Sequence, residues 1–151
     1  MSIINPVKLI SLILFVFVLS FGQSNILDFF SLTVEVQHLR NSTGVVQFAV
    51  YNQNGTIPDE TFSKYFVKLT GKIEKSSSVV TFTKLPLGTY AVNILHDENE
   101  DEQINKFFIL PTEGVGFSNY TSFGPMNRPN FVNASFDLKS DITMNVKVIY
   151  L

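Results

Sequence analysis

Between His96 and Asn105 the sequence reads His-Asp-Glu-Asn-Glu-Asp-Glu-Gln-Ile-Asn, which puts an oxygen-bearing side chain at every second residue, Asp97, Asn99 and Asp101. That spacing is the D-x-N-x-D opening of a calcium loop, in which alternate side chains converge on one hard cation. The backbone carbonyl of Gln103 and the side chain of Asn105, directly or through water, extend the ligand set to Asp97, Asn99, Asp101, Gln103 and Asn105. Asp97, Glu98, Glu100, Asp101 and Glu102 are five of the 13 acidic residues in the chain. Left alone they repel one another, and a divalent ion offsets that repulsion while satisfying several oxygens at once. The loop departs from a helix-loop-helix calcium site at two positions. Glu102 stands sixth, where a turn-forming Gly is usual, and Phe108 stands twelfth, where a bidentate Glu closes the site. An EF-hand is therefore not expected, and the affinity belongs at the weak, extracellular end, about 10⁻⁴ to 10⁻³ M. The plainer alternative is a solvated acidic turn that binds nothing.

Catalytic chemistry finds less support. His96 beside Asp97 could pair a general base with an orienting carboxylate, yet neighbours on a strand point to opposite faces. A hydrolase built on His96 with Asp97 or Glu113 would need a nucleophile such as Ser118 or Ser122, and neither lies in a Gly-x-Ser-x-Gly elbow. His96 is expected instead to hydrogen-bond backbone in the loop that follows it, and His38 has a similarly plain reading. Gly114-Val115-Gly116-Phe117-Ser118-Asn119 lacks the strand-to-helix setting of a phosphate loop. Its glycines are expected to permit positive φ or a close approach to the acidic loop, with Phe117 plugging one end of the core. Tyr120, Phe123 and Phe131 could line a sugar-stacking platform, although core burial is the simpler use of them in a chain with 15 Phe.

The elements that must hold the loop are read from hydrophobic period. Leu32, Val34, Val36 and His38 alternate with polar neighbours as a half-buried strand, and Val45 to Tyr51 is β-branched and aromatic on both faces, as in a central strand. Phe62, Phe66 and Leu69 fit one helical turn, so a short helix is expected at most around Thr61 to Leu69, with a loop crossing the sheet as the alternative. Val79 to Phe82 reads as a strand and Leu85 to Thr89 as a turn. Tyr90, Val92, Ile94 and His96 alternate again, which delivers the acidic loop to a strand's carboxyl end at a sheet edge. From Phe107 to Phe131 the Gly-, Pro- and Asn-rich chain reads as one long loop. Strands resume at Ala134 to Leu138 and at Ile142 to Tyr150, where Ile142, Met144, Val146, Val148 and Tyr150 share a face. The fold class is all-β, an antiparallel β-sandwich of about seven strands with a long loop at one end.

Composition bounds the setting. Lys8 precedes an apolar run from Leu9 to Leu19, and Ser20 and Gly22 stand three and one positions before a cut ahead of Gln23. This is the pattern of a secretory signal peptide over 1–22, leaving one β-sandwich domain over 23–151 that is exported to a periplasmic, outer-surface or extracellular location. The run falls short of the roughly 20 residues of a membrane span, so the mature chain is expected to have no stable span, and an uncleaved anchor is the alternative. With 0 Cys the chain has neither disulfides nor thiolate metal sites, and its stability comes from packing. Cleavage removes Lys8 from 11 basic residues and no acid, leaving 10 against 13; nucleic acid is not an expected partner, since no basic stripe exists to displace counterions. Four Asn-x-Ser/Thr triplets, at Asn41, Asn54, Asn119 and Asn133, follow from an Asn- and Ser/Thr-rich composition.

Phe82-x-x-Leu85-Pro86-x-Gly88-x-Tyr90-Ala91, then His96-Asp97-Glu98-Asn99, then Pro111-x-Glu113-Gly114-x-Gly116-Phe117-Ser118-Asn119, with Pro129-x-Phe131-x-x-Ala134-x-Phe136 near the end, together resemble the secreted bacterial family called domain of unknown function 2141. The likeness runs from about Leu32 to Tyr150. It implies a small exported sandwich, transthyretin-like or immunoglobulin-like, of the carbohydrate-binding-like kind, and no established activity. Similar sequences commonly read H-D-x-N-x-[DN]-G-x-x-D in the loop, where this chain has Glu102 for the Gly and Asn105 for the last acid. The leading expectation is a non-enzymatic exported sandwich whose loop binds calcium and orders the long loop, leaving a surface for a glycan or protein partner. Its rivals are the His96 hydrolase and a purely structural envelope domain.

Overall fold

The computed structural model describes residues 28–124 and 126–151. The signal-peptide reading over 1–22 and its cut before Gln23 lie outside the described residues. In chain order the elements are β1(Phe29–Val36), β2(Val45–Tyr51), β3(Val67–Gly71), β4(Ser78–Pro86), β5(Gly88–Asp97), β6(Lys106–Phe107), β7(Leu110–Pro111), β8(Gly114–Phe117), a one-turn α1(Phe131–Ala134), β9(Phe136–Leu138) and β10(Ile142–Asn145). Nearly all of the regular structure is β. Three strands form one sheet in the order β10-β1-β4, and five form the other in the order β3-β2-β5-β8, with β9 pairing the start of β5. The short β6–β7 hairpin stands apart from both.

The two larger sheets bury a shared core. Leu32, Val34 and Val36 of β1 and Phe82 and Leu85 of β4 meet Val46, Phe48 and Val50 of β2 and Val92 and Ile94 of β5. Period-two alternation puts these residues on the inner faces. The phase breaks in two places. His38 takes φ 60, so Leu39 enters the core and His38 is exposed. Lys84 takes φ 58, beside a register shift between Phe30 and Leu32, and this lets both Phe82 and Leu85 point inward. The far face of the larger sheet is covered by loops and α1. Ala49, Tyr51, Ala91 and Leu95 pack there under Ile57, Phe62, Tyr120 and Phe131. A sheet apolar on both faces explains why β2 and β5 read as continuous hydrophobic runs.

Several local expectations are corrected. No helix forms at Thr61 to Leu69: Phe62 is buried, Phe66 and Leu69 are exposed, and Val67 to Gly71 instead pairs with β2 as an edge strand. Strand pairing supplies backbone hydrogen bonds that outweigh a three-residue helical pattern. The segment from Phe107 to Phe131 is not one long loop, because β8 lies within it, wholly buried and antiparallel to β5. Its glycines hid it, since Gly weakens a strand signal and marks close backbone approach. Neither Gly114 nor Gly116 has positive φ, and what approaches them is the carboxyl-terminal segment, not the acidic loop. A Cβ on Gly114 would lie 2.3 Å from Cε1 of Tyr150, and one on Gly116 would lie 2.6 Å from the Lys147 carbonyl oxygen.

That carboxyl-terminal segment changes partners. β10 runs parallel to β1, a departure from an all-antiparallel sandwich. Beyond it, Ile149 exchanges backbone hydrogen bonds with Val115 of β8 at 3.0 and 2.8 Å, so the chain crosses from one sheet to the other along an open side. Ile142, Met144, Val146, Val148 and Tyr150 all pack on the shared core, as their alternation requires. The opposite crossing is made at Leu87, between β4 in one sheet and β5 in the other.

Candidate functional site

Asp97 is the last residue of β5, paired across to Val45 of β2, and it is fully buried. An ionised carboxylate there needs donors on every side. Its Oδ2 accepts from Nε2 of Gln47 at 3.0 Å and from the N–H of Glu102 at 3.0 Å, and its Oδ1 accepts from the N–H of Asp101 at 3.1 Å. Gln47 is itself held by the Thr70 hydroxyl, which donates to its Oε1 at 2.8 Å. One polar file, Thr70, Gln47 and Asp97, thus runs across β3, β2 and the end of β5 on the outer face of the larger sheet.

The loop curls around this anchor. Asn99 Oδ1 accepts from the Asp101 N–H at 3.2 Å, and Asp101 Oδ1 from the Gln103 N–H at 3.0 Å, two successive turns built by side chains on their own backbone. Asp101 Oδ2 accepts from the side-chain amides of Asn99 at 3.0 Å and Asn105 at 2.7 Å, and the Asn99 amide also donates to Asn105 Oδ1 at 3.2 Å. Asp97, Asn99, Asp101 and Asn105 are therefore brought together, while Gln103 joins them through its N–H on Asp101. Among the described residues no three His, Cys, Asp or Glu side chains already stand close enough to hold an ion. As it stands the loop is knit by its own amides, and a cation would have to replace the Asn99 and Asn105 bonds to Asp101 with metal–oxygen bonds. The donors fit a hard, oxygen-seeking cation by type.

The other acids of the run face elsewhere. Glu98 turns to Arg40, whose Nε and Nη2 grip both carboxylate oxygens, and Asn41 adds a bond at 2.7 Å. This fork holds the Glu98 carboxyl below its ordinary range, with burial opposing the shift. Arg40 also lies over the Tyr150 ring at 4.7 Å. Glu100 and Glu102 take φ 60 and 62, so the backbone makes the left-handed turns that a Gly would ease. Glu102 reaches Lys68 of β3 as an ion pair.

Glu113 is the acid that sequence spacing missed as a member of this cluster. It precedes β8, is only 5% exposed, and its Oε1 accepts the Glu98 N–H at 2.9 Å. Burial pushes its carboxyl above the ordinary range; the Glu98 and Asn105 backbone bonds oppose that, and the charges of Asp97 and Asp101 add to it. Its Oε2 is buried without a hydrogen-bond partner. Only its place beside the strand β8, itself obscured by glycines, could have revealed this.

His96 lies on the inner face, fully buried, opposite to Asp97. Its Nε2 donates to the Thr43 carbonyl at 3.0 Å, and its Nδ1 shares a 2.6 Å hydrogen bond with the Tyr150 hydroxyl. The backbone it holds belongs to the turn before β2, not to the loop after it. Ser118 is buried, with its hydroxyl donating to the Ala134 carbonyl at 2.6 Å and accepting the Val92 N–H at 2.8 Å. Tyr120 and Phe131 are core residues, and Phe117 meets the rings of Tyr120 and Phe123 edge-on in the same cluster.

A family model described as an uncharacterized protein conserved in bacteria, DUF2141, matches residues 34–146. The chain belongs to the DUF2141 family. The match spans β1 to β10 and takes in the acidic loop, Glu113 and the glycines of β8. Neither the curated proteins nor the solved structures contain a match to this DUF2141 chain. Among its described residues no helix is long and apolar enough to cross a membrane.

Proposed function

We propose that this DUF2141 chain is an exported, non-enzymatic β-sandwich of the transthyretin-like kind whose acidic loop binds calcium and thereby orders the chain that follows, leaving a surface for a glycan or protein partner. The sandwich type is supported by Leu85-Pro86-Leu87-Gly88-Thr89-Tyr90, which carries the chain from one sheet into the central strand of the other. The observation that carries the calcium reading is the gathering of Asp97, Asn99, Asp101 and Asn105 around a buried carboxylate at the end of that strand. Like oxygen carriers crowd there with few cations to balance them; Arg40 and Lys68 are engaged by Glu98 and Glu102. The non-enzymatic reading is supported by His96 and Ser118, whose polar atoms are already committed to buried partners.

The partner surface we favour starts at the β6–β7 hairpin. Phe107, Phe108 and Ile109 are 71%, 87% and 69% exposed, an apolar tip beside a groove walled by Ile104, Leu110, Phe117 and Phe123. Thermal melting of the chain, first with chelator and then with millimolar calcium, tests the metal reading: the native chain melts higher with calcium, and Asp97→Ala with Asp101→Ala abolishes the shift. Equal melting of the native chain in both conditions overturns it.

A further inference from the structure

We propose that Glu113 is the closing ligand of the calcium site, offering Oε2 to the ion and filling the role left open by Phe108 at the twelfth position of the loop. The inference rests on the calcium reading and deepens it by naming the carboxylate that sequence spacing does not supply.

Three observations converge on Glu113. First, the carboxylate is fixed in place: Oε1 takes the Glu98 N–H at 2.9 Å, immediately after Asp97, and the Asn105 backbone lies close to the same carboxylate. Second, it stands between the two ends of the loop: Glu98, which it holds, follows Asp97, and the Asn105 carbonyl at the other end takes the N–H of Thr112, the residue before Glu113. Third, Oε2 is buried and unpartnered. Among the described residues the other buried side-chain atoms without partners belong to Ser78 and Asn93, which carry no charge. A buried carboxylate oxygen with no donor, beside two more carboxylates, is costly in every neutral surrounding. A water would give it a hydrogen bond but would not offset the neighbouring carboxylates. A divalent cation meets both needs.

An ion would draw three carboxylates that do not already stand together, with two Asn side chains and the Gln103 carbonyl, into one set, which reaches the six-to-eight oxygens that calcium takes. The placement has a mechanical consequence. Asn105 and Glu113 flank the β6–β7 hairpin, whose base is already closed by the Thr112 N–H on the Asn105 carbonyl at 2.9 Å. An ion held by both residues clamps the two feet of the hairpin that carries the exposed tip of Phe107, Phe108 and Ile109.

Calorimetric titration of calcium into the native chain, Glu113→Gln and Glu113→Asp, with hydrogen exchange followed at the 104–113 amides, tests the assignment. Glu113→Gln keeps the shape and removes the charge; it folds, melts in chelator at or above the native chain, and binds calcium at least about tenfold more weakly, because charge count sets affinity in such loops. Glu113→Asp, one methylene short, also weakens binding and serves if the Gln variant fails to fold. Calcium slows exchange of the hairpin amides in the native chain and leaves them unchanged in Glu113→Gln. Native-like affinity in the variants overturns the role of Glu113 while the calcium reading stands. No binding by the native chain overturns both.

Discussion

Gln47 donates to Asp97 at 3.0 Å from the neighbouring strand, and it does so as the middle member of a file in which Thr70 fixes the orientation of its amide. With the hydroxyl of Thr70 on Oε1, the NH₂ is left facing the carboxylate. A buried Gln on a strand otherwise lined by Val, Phe, Ala and Tyr is thus explained by what stands at the end of the next strand. Gln47→Leu keeps the volume and removes one of the three donors to Asp97. Such a loss at a buried charged acceptor costs about 1 to 3 kcal/mol. Chemical denaturation is expected to show that loss, and calcium binding is expected to weaken with it; unchanged stability would mean that Asp97 finds another donor.

Glu102 sits at φ 62 where a Gly is easier; its N–H on Asp97 would survive in a Gly, so the contact particular to its side chain is the ion pair with Lys68, made at its own exposed end. A left-handed conformation costs a side-chain-bearing residue roughly 1 to 2 kcal/mol, and an exposed ion pair returns about 0 to 1. Glu102→Gly is therefore expected to leave stability within about 1 kcal/mol of native and to tighten calcium binding by pre-shaping the loop. A weaker affinity in the same titration would show that the charge of Glu102 matters more than its backbone.

Gly116 is the tighter of the two constraints in β8. Its added Cβ would press on the Lys147 backbone, whereas the one on Gly114 would press on the ring of Tyr150. Backbone flanked by the Val146–Glu35 and Ile149–Val115 hydrogen bonds yields less than a side chain does. Gly116→Ala is expected to destabilise by roughly 1 to 3 kcal/mol, the usual range for overpacking, and to raise exchange at the Val115 and Ile149 amides. A native melting temperature would mean that the crossing segment is free to move away.

The Arg40–Glu98 fork sets an acid limb. Arg40 lowers the folded pKa of Glu98, so its contribution is full above the unfolded value, near 4.3, and is lost as pH falls through the lowered folded value. Glu113 has the opposite sign: its raised folded pKa means that its cost at neutral pH is relieved on acidification. Denaturation midpoints measured from pH 7 down to pH 2 are expected to show that Glu98→Gln flattens the acid limb. An identical limb in that variant would assign acid sensitivity to other carboxylates.

Much of the frame was readable in period-two alternation. β1, β2 and β5 and the inward face of Ile142 to Tyr150 follow from it, because each carries an unbroken apolar series on its inner face, with no glycine beyond the first residue of β5. Where the signal failed, a backbone feature interfered. β8 alternates Gly with Val and Phe, so half of its side chains are missing from the pattern, and the reason for those glycines lies at Lys147 and Tyr150, more than thirty residues later. β3 has two exposed central residues and reads as nothing in particular until β2 is there to pair with it. Four of the five proposed calcium ligands share side-chain contacts because their spacing is local. Glu113 enters through β5–β8 pairing, a long-range relationship that spacing within one loop does not encode.

The central claim is that the loop from Asp97 to Asn105 is a calcium site, and isothermal titration of calcium into the native chain tests it most directly. The expected result is saturable heat with a dissociation constant of about 10⁻⁴ to 10⁻³ M, smaller heat with magnesium, and about 1.4 kcal/mol of added stability at ten times that constant. No calcium heat, together with a melting temperature indifferent to chelator, would contradict it and leave the loop a solvated acidic turn.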